Sequence, residues 1–241
     1  MFNKIEDHKN ILFKDRFWII AGGGIFTFIA GYVNAGLLSF FHVPVSHMSG
    51  AVSHLGIDLA TGRFVDVKII LGIIMGFFIG AICSGLIIGG KQLIPGRRYG
   101  LVLVIEGFLL SLSAFFLMQH YRLGLSIAAM ACGLQNAMAS SYYGLVLRTT
   151  HVTGIVTDLG VLIGHWIRHK HIEFWKFVLL FVSLIGFFCG GVVGSYLALH
   201  IGLSCIIFAS IGCYLSGIGY YFWKSYFMEF NPDITLESGR R

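Results

Sequence analysis

The stretch His47-Met48-Ser49-Gly50-Ala51-Val52-Ser53-His54-Leu55-Gly56 recurs downstream as His151-Val152-Thr153-Gly154-Ile155-Val156-Thr157-Asp158-Leu159-Gly160. The His, Gly, Val, Leu and Gly positions coincide, and Ser49 and Ser53 stand opposite Thr153 and Thr157. Upstream of the two stretches, Asn34-Ala35 matches Asn136-Ala137. Downstream, Gly76-Phe77-Phe78-Ile79-Gly80 matches Gly186-Phe187-Phe188-Cys189-Gly190. Anchors that return in one order indicate an internal duplication. Repeat one covers about residues 17–118 and repeat two about 123–223.

Each matched stretch reads as a helix that is apolar yet interrupted by polar groups. Over residues 46–62 and 150–165 such helices reach roughly 24 Å, short of the roughly 30 Å hydrocarbon core. The surrounding runs are different. Residues 17–40, 67–90, 99–118, 123–146, 174–199 and 203–223 are each apolar over about the length that spans a bilayer. Composition agrees: 56% of the 241 residues are hydrophobic and 12% are charged, whereas soluble domains carry about 25% charged residues. The 32 glycines suit close helix packing in lipid.

The expected fold is therefore an all-α integral membrane protein. It has about six transmembrane helices plus two short broken or re-entrant helices, built as two repeats. A polar segment 1–16 precedes a single polytopic domain, 17–223, and a polar tail, 224–241, follows it. The first apolar run is too long for the core of a cleaved signal, so it is expected to remain as a membrane helix. If the short helices do not cross, each repeat crosses three times and the second is inverted. If they do cross, the repeats are parallel. With six crossings and a cytoplasmic N-terminus, fourteen of the 17 Lys and Arg residues fall inside. With eight crossings thirteen do, so the positive-inside rule sets the N-terminus in the cytoplasm without choosing between the models. The length and polarity of the short segments favour six.

The same arrangement nominates a site. A helix that starts inside the membrane presents unpaired backbone N–H groups and the positive end of its dipole. Gly50 and Gly154 would let a ligand approach that backbone, and Ser49 and Thr153 would cap the helix or touch the ligand. His47 and His151 are equivalent ionisable residues at membrane depth, where such residues are functional candidates. Asn34 and Asn136 would bond at the broken-helix site or tie helices together. Glu106, inside the third crossing, and His54 and Asp158, which share one repeat position, are the candidates for proton coupling. The stacks Gly72, Gly76, Gly80 and Gly186, Gly190, Gly194 read as helix-packing faces, and Asp58 as reaching the interface.

The motifs Ser46-His47-Met48-Ser49-Gly50, Gly133-Leu134-Gln135-Asn136-Ala137 and Arg148-Thr149-Thr150-His151-Val152-Thr153-Gly154 resemble the YoaK family, bacterial multi-pass membrane proteins carrying domain of unknown function 1275. The resemblance runs over about residues 17–223. Many members have Asn where this sequence has His47 and Ala51. Transport of small molecules by the inner membrane is what the resemblance implies.

Other classes find little support. No zinc-protease, nucleophile-elbow, P-loop or dinucleotide motif is present, so neither an enzyme nor a cofactor is expected. The five cysteines lie in apolar runs without C-x-x-C spacing. His165 with Arg168-His169-Lys170-His171 reads as an interfacial basic loop and not as a metal site. The net charge of +6 lacks a basic stripe or nucleic-acid motif. The expected partners are the lipid bilayer and a small molecule or ion, with homo-oligomerisation left open. The leading reading is a secondary transporter or facilitator of a small polar or anionic solute. A small-ion channel, a membrane enzyme and a scaffold are the alternatives.

Overall fold

The structure, a computed structural model, describes residues 2–89, 98–140, 149–170 and 174–230. Eight α-helices run through them: α1 (Phe2–Phe41), α2 (Met48–Ala60), α3 (Phe64–Ile88), α4 (Arg98–Met118), α5 (Leu123–Ser140), α6 (Val152–His169), α7 (Phe174–Ile201) and α8 (Cys205–Phe230). There is no strand among the described residues. Four segments are long and apolar enough to cross a membrane: Phe17–Phe41, Phe64–Ile88, Arg98–Met118 and Phe174–Trp223. The last holds both α7 and α8, which meet at the 3-10 turn Gly202–Ser204. Leu123–Ala139 is a shorter apolar helix.

At both ends helix runs on through polar sequence: α1 starts at Phe2, before the first apolar run, and α8 continues past Lys224 to Phe230. A formed helix extends cheaply through charged residues of fair propensity, whereas hydropathy marks only where the apolar run stops. The 91–97 part of the basic turn and Arg148 lie outside the described residues.

The outer surface of the described residues is strongly apolar, and several polar groups are buried among an apolar core. Leu86 and Leu199 are about three-quarters exposed, and Phe78, Phe108, Phe115, Phe188 and Phe222 also face outward. Asn34, Glu106, Gln135, Ser84 and Ser113 are buried. A surface of that kind is stable against hydrocarbon and not against water.

Glycine decides which helices touch. A Cβ at Gly31 would overlap the carbonyl oxygen of Phe187, and one at Gly190 that of Phe28. Across the other pair, Gly133 meets Phe77 O, and Gly80 meets Met130 O. So α1 lies backbone to backbone on α7, and α3 does so on α5. In both pairs the contacts climb together: Gly24 with Gly186 and Tyr32 with Gly194, Gly72 with Ser126 and Gly80 with Met130. Both pairs are therefore parallel. The α4–α8 pair is antiparallel, with Gly100 against Gly217 and the Ser111 and Ser210 hydroxyls 2.6 Å apart. The α4–α5 hairpin is also antiparallel, and the Ser113 hydroxyl donates to Gly124 O at 2.8 Å.

These directions constrain the short helices. α8 runs against α1: Trp18 stacks near Trp223, while the Tyr32 hydroxyl donates to Cys205 O at 2.9 Å. α4 is then parallel to α1, and α3 and α5 are antiparallel to it. The chain leaves one end of α1 and enters α3 at that same end, so α2 between them lies toward that end of the bundle. Ser46 bonds Asn34, seven residues before α1 ends, which places the start of α2 about 10 Å back along α1.

Candidate functional site

Asn34 and Asn136 build the site. The Asn34 Oδ1 accepts from the Ser46 backbone N–H at 3.2 Å and from its hydroxyl at 2.9 Å. The Asn136 Oδ1 accepts from the Thr150 backbone N–H at 3.3 Å and its hydroxyl at 3.1 Å. Each asparagine thus clamps the residue two places before a short helix, and the two clamps share one bonding pattern. Each asparagine accepts at the loop that leads into a short helix and so ties that loop to its own helix. Ser46 and Thr150 were not singled out from the sequence. The signal available was the Asn–Ser and Asn–Thr spacing, which recurs at twelve and fourteen residues.

His47 and His151 follow the clamps as the N-cap residues of α2 and α6. Neither side chain bonds its helix start. The first helical bonds are Ala51 N–H to His47 O and Ile155 N–H to His151 O, so three N–H groups at each start lack a helical acceptor. The expectation that Ser49 and Thr153 cap these helices is corrected: both lie one residue inside the helix and are exposed. Their carbonyls instead accept from the Ser53 hydroxyl at 2.9 Å and the Thr157 hydroxyl at 2.8 Å.

His47 and His151 interact electrostatically. The His47 ring sits edge-on to Phe187, with centroids 5.3 Å apart, and its Nδ1 lies 3.2 Å from the Ser46 hydroxyl oxygen. The single Ser46 hydroxyl proton is committed to Asn34. The contact is then met by an Nδ1–H tautomer, which leaves Nε2 as an acceptor. His47 is half-buried and His151 exposed.

The glycines at the starts differ. A Cβ at Gly154 would collide with the His151 ring, which folds back over the first turn of α6. One at Gly50 would meet only Pro44 Cγ at 3.0 Å. Gly154 makes room for a histidine of its own chain, a constraint invisible in the motif.

The remaining candidates separate. Asp158 is exposed and His54 half-buried, and no ion pair joins them among the described residues. Asp58, read from the sequence as interfacial, is instead buried and pairs with Arg63 at 3.0 Å, closing the turn from α2 into α3. Glu106 is buried in the middle of α4, in the neighbourhood of Cys213 of α8 and Cys132 of α5. Its Oε2 has no hydrogen-bond partner among the described residues. No group of His, Cys, Asp or Glu among the described residues could hold a metal.

Sequence reading also passed over Gln135 and Thr149. Both are sealed from solvent, and neither the Gln135 amide atoms nor the Thr149 hydroxyl finds a hydrogen-bond partner among the described residues. The available signal was a polar residue directly before each clamp residue of the second half, Gln135 within an apolar run and Thr149 between Arg148 and Thr150.

No curated protein and no solved structure matches the chain. A family model described as "Protein of unknown function (DUF1275)" matches residues 23–219, most of the chain and all of the site, and the chain belongs to that family.

Proposed function

We propose that the protein is a secondary transporter or facilitator of a small polar solute, which binds at the starts of α2 and α6. One observation carries the reading: two asparagine clamps of like geometry hold two helix starts that have no side-chain cap. Unpaired N–H groups at such starts are suited to a solute's acceptor or anionic groups. Ser49, Thr153, Gly50 and Gly154 border that place, and Glu106 is the group that would carry a coupling proton.

The directions of the helices favour six crossings over eight. Eight crossings would make α4 and α8 parallel, whereas they pack antiparallel. With six, α1 to α4 and α5 to α8 form two units of opposite orientation. The matched contacts of α1 on α7 and α3 on α5 support this inverted repeat. The positive-inside rule then favours both termini in the cytoplasm and the α4–α5 turn at His120 outside. In a bacterial cell the membrane is the inner one.

The test is counterflow in proteoliposomes, preloaded with a solute pool and challenged with labelled tracer. Saturable counterflow supports alternating access. Flux that follows the membrane potential without saturation would establish a channel instead. Labelling of a Cys placed at position 96 from outside intact cells would overturn the six-crossing topology.

A further inference from the structure

The two clamps share their bonds but not their neighbours. Before Asn34 stands Val33, and before Ser46 stands Val45; both are buried in the hydrophobic core. Before Asn136 stands Gln135, and before Thr150 stands Thr149; both are equally buried, yet polar and unpartnered among the described residues. The first clamp is backed by hydrocarbon. The second has, next in sequence to its two members, a buried amide and a buried hydroxyl with donors and acceptors to spare. Buried polar groups without partners are rare in native proteins and each needs an explanation, of which a bound polar group is one. Apolar side chains at these positions are compatible with the clamp, as Val33 and Val45 demonstrate.

We propose that Gln135 and Thr149 form a hydrogen-bonding subsite for an uncharged polar group of the solute, such as an amide or a hydroxyl, behind the start of α6. The subsite rests on the transport reading and narrows its substrate class. The Gln135 amide offers one acceptor and two donors, and the Thr149 hydroxyl offers both roles. Neither carries a charge that would offset the burial of an ion, so the group they take is neutral. Recognition is then asymmetric: the second half reads the solute, and the first half supplies a dry counterpart.

Osmotic re-swelling of proteoliposomes tests this with urea, acetamide and glycerol as uncharged probes and with chloride and formate as charged ones. At least one uncharged probe is expected to enter faster than into protein-free vesicles. The double variant Gln135→Val with Thr149→Val should lower that rate about tenfold, because the probe loses its bonding groups. Thr149→Ser, which keeps the hydroxyl, should retain it. The double variant should also melt no lower than the parent in detergent, since it removes unpaired buried polar atoms. Entry of charged probes alone overturns the subsite and leaves the transport reading standing. Entry of none overturns both. Undiminished entry in the double variant, or a melting temperature several degrees lower, would assign Gln135 and Thr149 to the structure alone.

Discussion

The long helices and the short-helix starts are held by different means. Where α1 meets α7 and α3 meets α5, backbone lies on backbone: Gly31, Gly80, Gly133, Gly190 and Gly194 each face a carbonyl of the opposite helix with no space for a Cβ. Lipid tails are as apolar as the side chains they would replace, so close packing supplies the attraction there. The short helices have no such seam. α2 rests mainly on α3 and α6 mainly on α7, and each start is fixed by one asparagine and two hydrogen bonds. Stability is thus concentrated in the long helices. The starts are left with their N–H groups uncommitted and a light tether, which suits a part that binds and moves.

The largest effect should come from breaking a contact between long helices. Gly80→Val or Gly190→Val forces branched side chains into Met130 O or Phe28 O. Neither backbone can yield locally, so the cost should be about 3 kcal/mol or more. Little monodisperse protein should elute on size-exclusion chromatography in detergent. A sharp peak at normal yield would mean that the long helices are not the stable part.

Next come the clamps. Asn34→Ala and Asn136→Ala each remove an acceptor shared by two donors. A loss of about 1–2 kcal/mol is expected for each, as a lower melting temperature with the fold retained. Asn34 is the more deeply buried of the two, so its loss should be the greater. Proteolysis should quicken in the loop before the matching short helix. Equal cleavage before both helices in each variant would show that the clamps are not local tethers.

A milder change separates the two starts. From the motif alone, Gly50→Val and Gly154→Val should behave alike. In the structure the Cβ at Gly154 displaces the His151 ring, whereas that at Gly50 meets only the edge of Pro44. Both variants should melt near the parent temperature, and Gly154→Val should lose more solute flux at matched membrane level. Normal flux in both would remove the helix starts from the transport site.

The smallest expected effect is at the exit of α2. Arg63→Ala deletes the partner of Asp58, but the guanidinium is more than half exposed and the ion pair is correspondingly screened. A loss of about 1 kcal/mol or less is expected, read as a small shift in thermal unfolding. Combining it with Asn34→Ala should loosen α2 at both ends, and a melting loss larger than the sum would show that the two ends act together.

Much of this protein is legible without coordinates. Hydropathy reports the transfer of each residue into lipid, a property of the residue itself, so the apolar runs and the membrane class follow from order and composition. The recurrence of His47 to Gly56 as His151 to Gly160, and the glycine stacks near Gly76 and Gly186, are likewise local and could be read in one pass. The tertiary structure decided what depends on partners. Nothing in α1 names α7 as its neighbour: that choice rests on the fit between surfaces more than a hundred residues apart. Nor does the motif reveal that Asn34 would bond Ser46, that Asp58 would turn inward to Arg63, or that Gly154 would shelter the His151 ring. Gln135 and Thr149 make the point most directly. As residue types they are ordinary, and only their common burial without partners, where the other half carries Val33 and Val45, marks them out. An unmet hydrogen bond is a property of surroundings, and surroundings exist only once the chain has folded.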